Sequence, residues 1–317
     1  MIFGTDIGAE LVKHPAIQAV GFTGSLRGGM ALFRLAQQRP QPIPVFAEMS
    51  ALNPFFILPQ ALSVRADTLA RDLVASFTLG CGQFCTKPGL IVLLKGEKNA
   101  DFLQQLVEKV NAATPQLMLN ASTLEHYRHS VEKLAEHPTI RCLAGDDNHQ
   151  AGRAETRLYQ AQAANILEKD PLLQEEVFGP LAIVVEAADE AELLQVINAL
   201  QGQLTATLQA DEDDRQLAGR LLPLLADKAG RVLFNGYPTG VEVCDAMVHG
   251  GPFPATTDAR GTSVGTLAIT RFLRPVCLQN APAALLPPAL QDSNPLNLLR
   301  LVNGQWTREA IPSLLTH

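Results

Sequence analysis

Short runs of large apolar and β-branched residues alternate with longer amphipathic segments from residue 17 to residue 235. Such alternation calls for a largely parallel sheet, because parallel strands are joined by crossovers long enough to hold a helix. Strand-like runs lie at 17–23, 43–47, 89–94, 181–185, 204–209 and 231–235. Helix-like segments include 66–79, with Leu69, Leu73 and Phe77 on one face, and 100–112, with Leu103, Leu106, Val107 and Val110 at helical spacing. Segments 188–200 and 211–226 continue the pattern. The fold class is α/β.

The 317 residues are enough for about two domains. At the start, Ile7, Leu11 and Val12 form an apolar helical stripe that needs a sheet to cover it. Only two strand candidates precede Glu48, fewer than a doubly wound nucleotide-binding sheet uses, so the chain reads as entering a domain midway. After Arg274 the chain becomes a proline-spaced tail.

A net charge of −7 is spread along the chain, which excludes the basic footprint of a nucleic-acid binder. The uncharged stretches 49–64 and 275–291 are broken by prolines and fall short of the ~20 apolar residues of a membrane span. Residues 1–6 lack the basic start of a secretory leader, so a cytoplasmic protein is expected. Five cysteines, Cys81, Cys85, Cys142, Cys244 and Cys277, are an odd and mostly scattered set that reads as reduced thiols. Cys81 and Cys85 are close, yet no second Cys/His pair at zinc-like spacing accompanies them, so no metal is expected.

Several segments could carry chemistry. Gly21-Phe22-Thr23-Gly24-Ser25-Leu26-Arg27-Gly28-Gly29 joins a strand to a helix and reads either as a phosphate cradle or as a structural turn. Glu48 follows the apolar run Val45-Phe46-Ala47, where burial would raise its pKa toward a general base's working range; the alternative is a solvated strand end. Asn53-Pro54 beside it reads as a turn. Cys85 closes the uncharged loop Gly80-Cys81-Gly82-Gln83-Phe84, and nearby Lys87 would help its thiol ionise below the free value of about 8.5; an inert buried thiol is the alternative. In Glu175-Glu176-Val177-Phe178-Gly179-Pro180 a carboxylate could accept from ribose hydroxyls and the ring could pack on a flat cofactor, or the segment is a solvated acidic turn. Phe234-Asn235-Gly236 is a strand-to-turn signature that could rim a pocket.

In order and spacing, the Phe-Thr-Gly-Ser loop, the Glu48 motif, Gly82-Gln83-Phe84-Cys85, Glu175-Glu176-Val177-Phe178-Gly179-Pro180 and Phe234-Asn235-Gly236 resemble the aldehyde dehydrogenase superfamily from about Met1 to Arg274. Glu48-Met49-Ser50-Ala51-Leu52-Asn53-Pro54, Phe84-Cys85-Thr86-Lys87-Pro88-Gly89 and His249-Gly250-Gly251-Pro252-Phe253-Pro254-Ala255-Thr256-Thr257-Asp258 resemble its α-ketoglutarate semialdehyde (2,5-dioxovalerate) branch. The resemblance implies a three-layer catalytic domain at 49–270, preceded by the trailing part of a Rossmann-like NAD(P)-binding domain at 1–48 and followed by a tail at 271–317 that returns to the cofactor domain and the oligomer interface. It implies NADP or NAD as cofactor, an aldehyde as substrate and a homo-oligomer in the full-length form. Cys85 would add to the aldehyde, hydride would pass to nicotinamide, and water activated by Glu48 would hydrolyse the thioester.

By the same match Ser25, with Gly24 and Gly29 shaping its loop, would contact the diphosphate, Glu176 the nicotinamide ribose, and Phe178 the ring. The family's second oxyanion donor, an asparagine in a Pro-Trp-Asn-Phe-type motif, has no counterpart in this sequence, and Asn53 is not its substitute. Losing such a donor costs about 3 kcal/mol, or 10²–10³ in rate. A dicarboxylic semialdehyde needs a cation, for which Arg260 is the candidate, with Arg271 and Arg274 behind it. Two other readings stand beside this one: a catalytically incomplete fragment that acts as a folding or oligomerisation partner, and a cofactor-independent thiol esterase.

Overall fold

Seven strands form the central sheet, in the spatial order Ala229–Phe234, Gln203–Gln209, Phe55–Ile57, Leu90–Leu94, Leu181–Ala187, Arg157–Gln162 and Arg141–Ala144. The computed structural model describes residues 5–145 and 150–311. Residues 1–4, part of the segment read for a leader, lie outside the described residues. The chain divides into two units, Met1–Phe272 and Leu273–His317. In chain order the first unit runs α1 (Thr5–Lys13), β1 (Val20–Thr23), α2 (Leu26–Gln37), β2 (Val45–Glu48), β3 (Phe55–Ile57), α3 (Pro59–Thr78), β4 (Leu90–Leu94), α4 (Asn99–Asn111), β5 (Gln116–Leu117), α5 (Ala121–Ala135), β6 (Arg141–Ala144), β7 (Arg153–Ala154), β8 (Arg157–Gln162), α6 (Ala163–Leu167), β9 (Leu181–Ala187), α7 (Glu190–Ala199), β10 (Gln203–Gln209), α8 (Arg215–Lys228) and β11 (Ala229–Phe234).

Every neighbouring pair in the sheet is parallel except β6 with β8. Alternate residues feed the two faces: Leu181, Ile183 and Val185 join one core, Ala182 and Val184 the other. Helices cover both faces, so central strands such as β4 and β9 read as continuous apolar runs rather than as an in–out alternation. On one face Leu69, Leu73 and Phe77 of α3 pack with Phe102, Leu106 and Val110 of α4, all essentially buried.

Helix α3 begins at Pro59 rather than at the expected residue 66, because proline suits the first helical position and the break falls inside, at Arg65 (φ −129°, ψ 22°). Its first amides, Gln60 and Ala61 N–H, donate to the Asp214 carboxylate at 3.0 and 2.8 Å, a cap supplied from far along the chain.

Strands β1 and β2 form a separate parallel pair, consistent with the two candidates before Glu48. Val12, Ala36, Ile43, Val45, Ala47 and Met49 make its core. The stripe on α1 is only partly covered: Val12 is 3 % exposed, but Ile7 and Leu11 are 38 % and 48 % exposed. The segment at 255–257 lies antiparallel along β2: Met49 N–H donates to Ala255 O at 2.7 Å and Thr257 N–H to Ala47 O at 3.0 Å.

In the second unit β12 (Arg300–Val302) and β13 (Gln305–Thr307) form a hairpin. Asn303 and Gly304, at φ 49° and 83°, make the left-handed turn that Asn-Gly favours. Among the described residues no helix is long and apolar enough to cross a membrane.

Candidate active site

Glu48 ends β2, where the chain leaves the two-stranded sheet for the larger one. Cys85 stands in the turn between α3 and β4. A third residue, which was not assigned a role from sequence, joins them. His249 Nε2 is 3.2 Å from Cys85 Sγ and 3.1 Å from Glu48 Oε1. Glu48 and His249 are each 4 % exposed, while Cys85 is half-buried.

His249 reaches Glu48 because the chain following it pairs with β2 at Ala255 and Thr257. Thr257 Oγ1 reinforces this pairing, accepting from Ala47 N–H at 2.9 Å and donating to Val45 O at 2.6 Å. The loop at 262–263 then fixes the imidazole's backbone: His249 N–H donates to Thr262 Oγ1 at 2.8 Å, and Ser263 N–H donates to His249 O at 2.8 Å. The Ser263 hydroxyl also donates to Glu48 Oε2, which orients the carboxylate.

Cys85 is held from below. Three successive residues, Gly80, Cys81 and Gly82, are left-handed at φ 57°, 60° and 63°. A side chain at Gly82 would place its Cβ 2.2 Å from Gly179 O, so the loop can close on the Glu176 segment only with glycine there. Asn53, also left-handed at φ 50°, is fully buried and is more than a turn residue. Its Nδ2 donates to Cys85 O at 2.8 Å and Lys87 O at 3.1 Å. Its Oδ1 accepts from Thr205 N–H and Oγ1 at 3.1 and 3.0 Å. With its amide used in this clamp, Asn53 is no oxyanion donor, as expected. Cys81 is buried against Met118, 3.2 Å from its sulfur.

Two electrostatic expectations are overturned. Burial acts to raise the pKa of Glu48, but hydrogen bonds from His249 and Ser263 outweigh it and leave the carboxyl below its usual value. Burial first, and then the charge of Glu48, push the Cys85 thiol up to about 12. Lys87 does not counter this. Its Nζ is buried and donates to Val177 O at 3.0 Å and Leu181 O at 2.8 Å, and its electrostatic partner is Glu176. Cys85 therefore rests as a thiol, and its proton must be taken by an adjacent group.

The sequence profile of the aldehyde dehydrogenase family matches residues 1–256. The chain belongs to the aldehyde dehydrogenase family. It is 57 % identical over 309 residues to an alpha-ketoglutaric semialdehyde dehydrogenase of Acinetobacter baylyi, covering 97 % of this chain and 59 % of that protein. It is 52 % identical over 307 residues to alpha-ketoglutaric semialdehyde dehydrogenase 2 of Azospirillum brasilense, covering 95 % and 58 %. The chain thus spans under two thirds of the length of these relatives. A solved indole-3-acetaldehyde dehydrogenase in complex with NAD+ superposes at a TM-score of 0.69 with 19 % identity, over 84 % of this chain and 53 % of that one.

Within this aldehyde dehydrogenase fold the remaining sequence candidates fall into place unevenly. Ser25 and Gly24 are exposed at the start of α2. Ser25 Oγ accepts from Gly28 N–H at 3.2 Å as the helix cap and Leu26 N–H donates to Ser50 Oγ at 3.3 Å, which leaves the Ser25 hydroxyl proton for an anion. Gly24 N–H donates to Glu48 O at 3.1 Å, tying this loop to Glu48. Gly29 is buried, and a Cβ there would meet Met49 Sδ at 2.6 Å. Its lack of a side chain serves helix–strand packing against Met49, and its N–H donates to Ser25 O at 2.9 Å.

Glu176 Oε1 is buried and has no hydrogen-bond partner in the protein, while Phe178 is 38 % exposed. A buried unpaired acceptor is open to a donor from water, an ion or a ligand. Arg260 is exposed, and its backbone N–H turns to Asp258 Oδ1 at 3.1 Å. The small cleft beside Glu48 is lined instead by Arg271, together with Phe46, His249, Thr256 and Ser263 among others. Arg271 is held over the rings of Phe46 and Phe272 at 5.7 and 5.4 Å. A further cation, Arg231, interacts electrostatically with Cys85, and its buried Nε has no partner.

Proposed function

We propose that this chain carries the reaction centre of an NAD(P)-dependent aldehyde dehydrogenase that oxidises α-ketoglutarate semialdehyde to α-ketoglutarate. The convergence of Cys85, His249 and Glu48 carries the reading. The substrate assignment draws on the likeness to the Acinetobacter and Azospirillum proteins.

Cys85 loses its proton toward His249 Nε2 and Glu48, and its sulfur adds to the aldehyde carbon. The bound nicotinamide dinucleotide supplies the hydride acceptor. Ser25 at the start of α2 would hold its diphosphate, the unpaired Glu176 Oε1 would accept from the nicotinamide ribose, and the exposed Phe178 ring would pack beside the base. Residues 5–48 then belong to the cofactor side and the seven-stranded sheet to the catalytic side.

Hydrolysis of the thioester falls to Glu48. The cleft beside it has a volume of about 10 Å³. That is room for about one water molecule. Ser263 and His249 hold the carboxylate ionised, ready to take a proton from that water. Arg271 and Arg231 are the cations available to the distal carboxylate of a dicarboxylic semialdehyde.

The experiment is to mix the purified chain with α-ketoglutarate semialdehyde and NADP+ or NAD+ and follow the absorbance of the reduced cofactor. Reduction that disappears in Cys85→Ala supports the proposal. The Cys85–His249 contact also favours a second reading, a thiol esterase, and cleavage of an activated ester without any nicotinamide signal would select it. Neither activity from a folded chain would leave a non-catalytic partner protein.

A further inference from the structure

The three groups at the reaction centre are also three kinds of metal ligand, a thiol, an imidazole and a carboxylate, with ligand atoms all within 4.8 Å of one another. Zinc bound at ordinary Zn–S, Zn–N and Zn–O lengths of about 2.3, 2.0 and 2.1 Å with tetrahedral angles sets its ligand atoms roughly 3.3–3.6 Å apart. The observed separations of 3.2 Å from Cys85 Sγ to His249 Nε2 and 3.1 Å from His249 Nε2 to Glu48 Oε1 need to open by only a few tenths of an ångström.

We propose that Cys85, His249 and Glu48 form a reversible zinc site that switches the reaction centre off. Its inhibitory consequence rests on the functional reading above, while the metal chemistry stands on the geometry alone.

The surroundings favour this use. Ser263 holds the second carboxylate oxygen, and Thr262 and Ser263 hold the backbone of His249, so two of the three ligands are oriented before a metal arrives. His249 Nδ1 has no protein partner, so on binding zinc through Nε2 the imidazole exchanges its hydrogen bond to Glu48 for the metal and carries its proton on Nδ1. Cys85 is half-buried rather than sealed and gives a route in. A mixed sulfur–nitrogen–oxygen set suits zinc, whereas magnesium and calcium prefer oxygen alone.

On binding, Zn²⁺ replaces the thiol proton, which leaves to solvent. The thiolate, Nε2 and one carboxylate oxygen take three positions and a water takes the fourth. The Cys85 S–H bond is the one bond broken, its electron pair goes to the S–Zn bond, and no electron is transferred. Zinc then occupies the sulfur lone pair that would attack an aldehyde and the carboxylate oxygen that would accept a proton, so both halves of the chemistry stop together. Because a proton is released, binding strengthens as pH rises.

The test uses the full chain without aldehyde or nicotinamide, titrated with zinc against a chromogenic chelator. The expected result is one zinc per chain, a thiolate charge-transfer band when Co²⁺ replaces zinc, and protection of Cys85 from iodoacetamide. Cys85→Ser and His249→Ala should each weaken binding by at least about 10–100-fold, the loss seen when even a residue behind a ligand is removed. Cys142→Ala, an exposed thiol elsewhere, should not change it. No stoichiometric binding, unchanged affinity in His249→Ala, or alkylation of Cys85 at the same rate with zinc present would overturn the proposal. The protection measurement uses the unaltered chain, so it decides even where a variant does not fold. A chain that binds zinc in this way but oxidises no aldehyde supports the metal site while removing the functional reading.

Discussion

His249 Nε2 stands 3.2 Å from Cys85 Sγ across a separation of 164 residues in sequence. The same nitrogen faces Glu48 Oε1 at 3.1 Å, so one imidazole links the thiol to the carboxylate. This places a proton acceptor beside a thiol that burial and the Glu48 charge hold at about 12.

Neutralising Glu48 should separate thiol ionisation from hydrolysis. The Glu48 charge is among the causes that raise the Cys85 pKa, so Glu48→Gln lowers it. Alkylation of Cys85 by iodoacetamide near neutral pH should accelerate by about tenfold in Glu48→Gln, while thioester hydrolysis falls by about 10²–10⁴. Peptide mapping with a time course reads the first, and slower alkylation in the variant would contradict the electrostatic account.

Asn53 should matter for stability as well as for the position of the thiol. Asn53→Ala removes two donations to the Cys85 turn and leaves Thr205 N–H and Oγ1 buried without their acceptor. A loss of about 2–4 kcal/mol in urea unfolding is expected. A variant as stable as the parent would show that the clamp contributes nothing.

Gly29 should prove to be a packing residue. Gly29→Ala drives a methyl against Met49 and should destabilise the chain by about 1–3 kcal/mol. Met49→Ala makes room for that methyl, so the double variant should lose less than the sum of the two single losses. Strict additivity in thermal unfolding would place Gly29 outside this contact.

Glu176 should leave a signature in the pH dependence of stability. Burial raises its carboxyl from 4.5 to about 7, so between these values the folded chain keeps a proton that the unfolded chain releases. Stability from this group is full below about pH 4.5 and is lost as pH rises through about 7. Lys87, lowered by the same burial, acts from the alkaline side, its contribution being lost as pH falls through about 8. Melting temperatures of the parent should therefore drop relative to Glu176→Gln as pH rises from about 4.5 to about 7. Parallel curves for the two chains would refute the shift.

The parallel sheet was legible wherever a strand is buried on both faces, as at β4 and β9, since such strands are unbroken apolar runs. Strand β8 was not, because Arg157-Leu158-Tyr159-Gln160-Ala161-Gln162 mixes polar residues into a buried strand. Strand β3 is only Phe55–Ile57 and hides behind Asn53-Pro54. The start of α3 was missed because its N-terminal turn is separated from the periodic stripe by the break at Arg65.

Glu48 and Cys85 were legible as a pair because each sits in a short local motif. His249 was visible only as part of His249-Gly250-Gly251-Pro252, and nothing local marks its partner. Its place depends on the pairing of Ala255 and Thr257 with β2, a contact between distant segments that periodicity does not report. The Lys87 expectation failed for a related reason. Sequence proximity to Cys85 says nothing about direction, and the Lys87 side chain turns toward Val177 O and Leu181 O.

Mass spectrometry of Glu48→Gln after a single addition of α-ketoglutarate semialdehyde and NADP+ tests the joint action of Cys85, His249 and Glu48 most directly. An acyl adduct on Cys85 should accumulate with about one equivalent of reduced cofactor per chain and should not form when His249 is also replaced by alanine. Reduced cofactor without an adduct on Cys85, or an adduct that forms equally well without His249, would contradict that joint action.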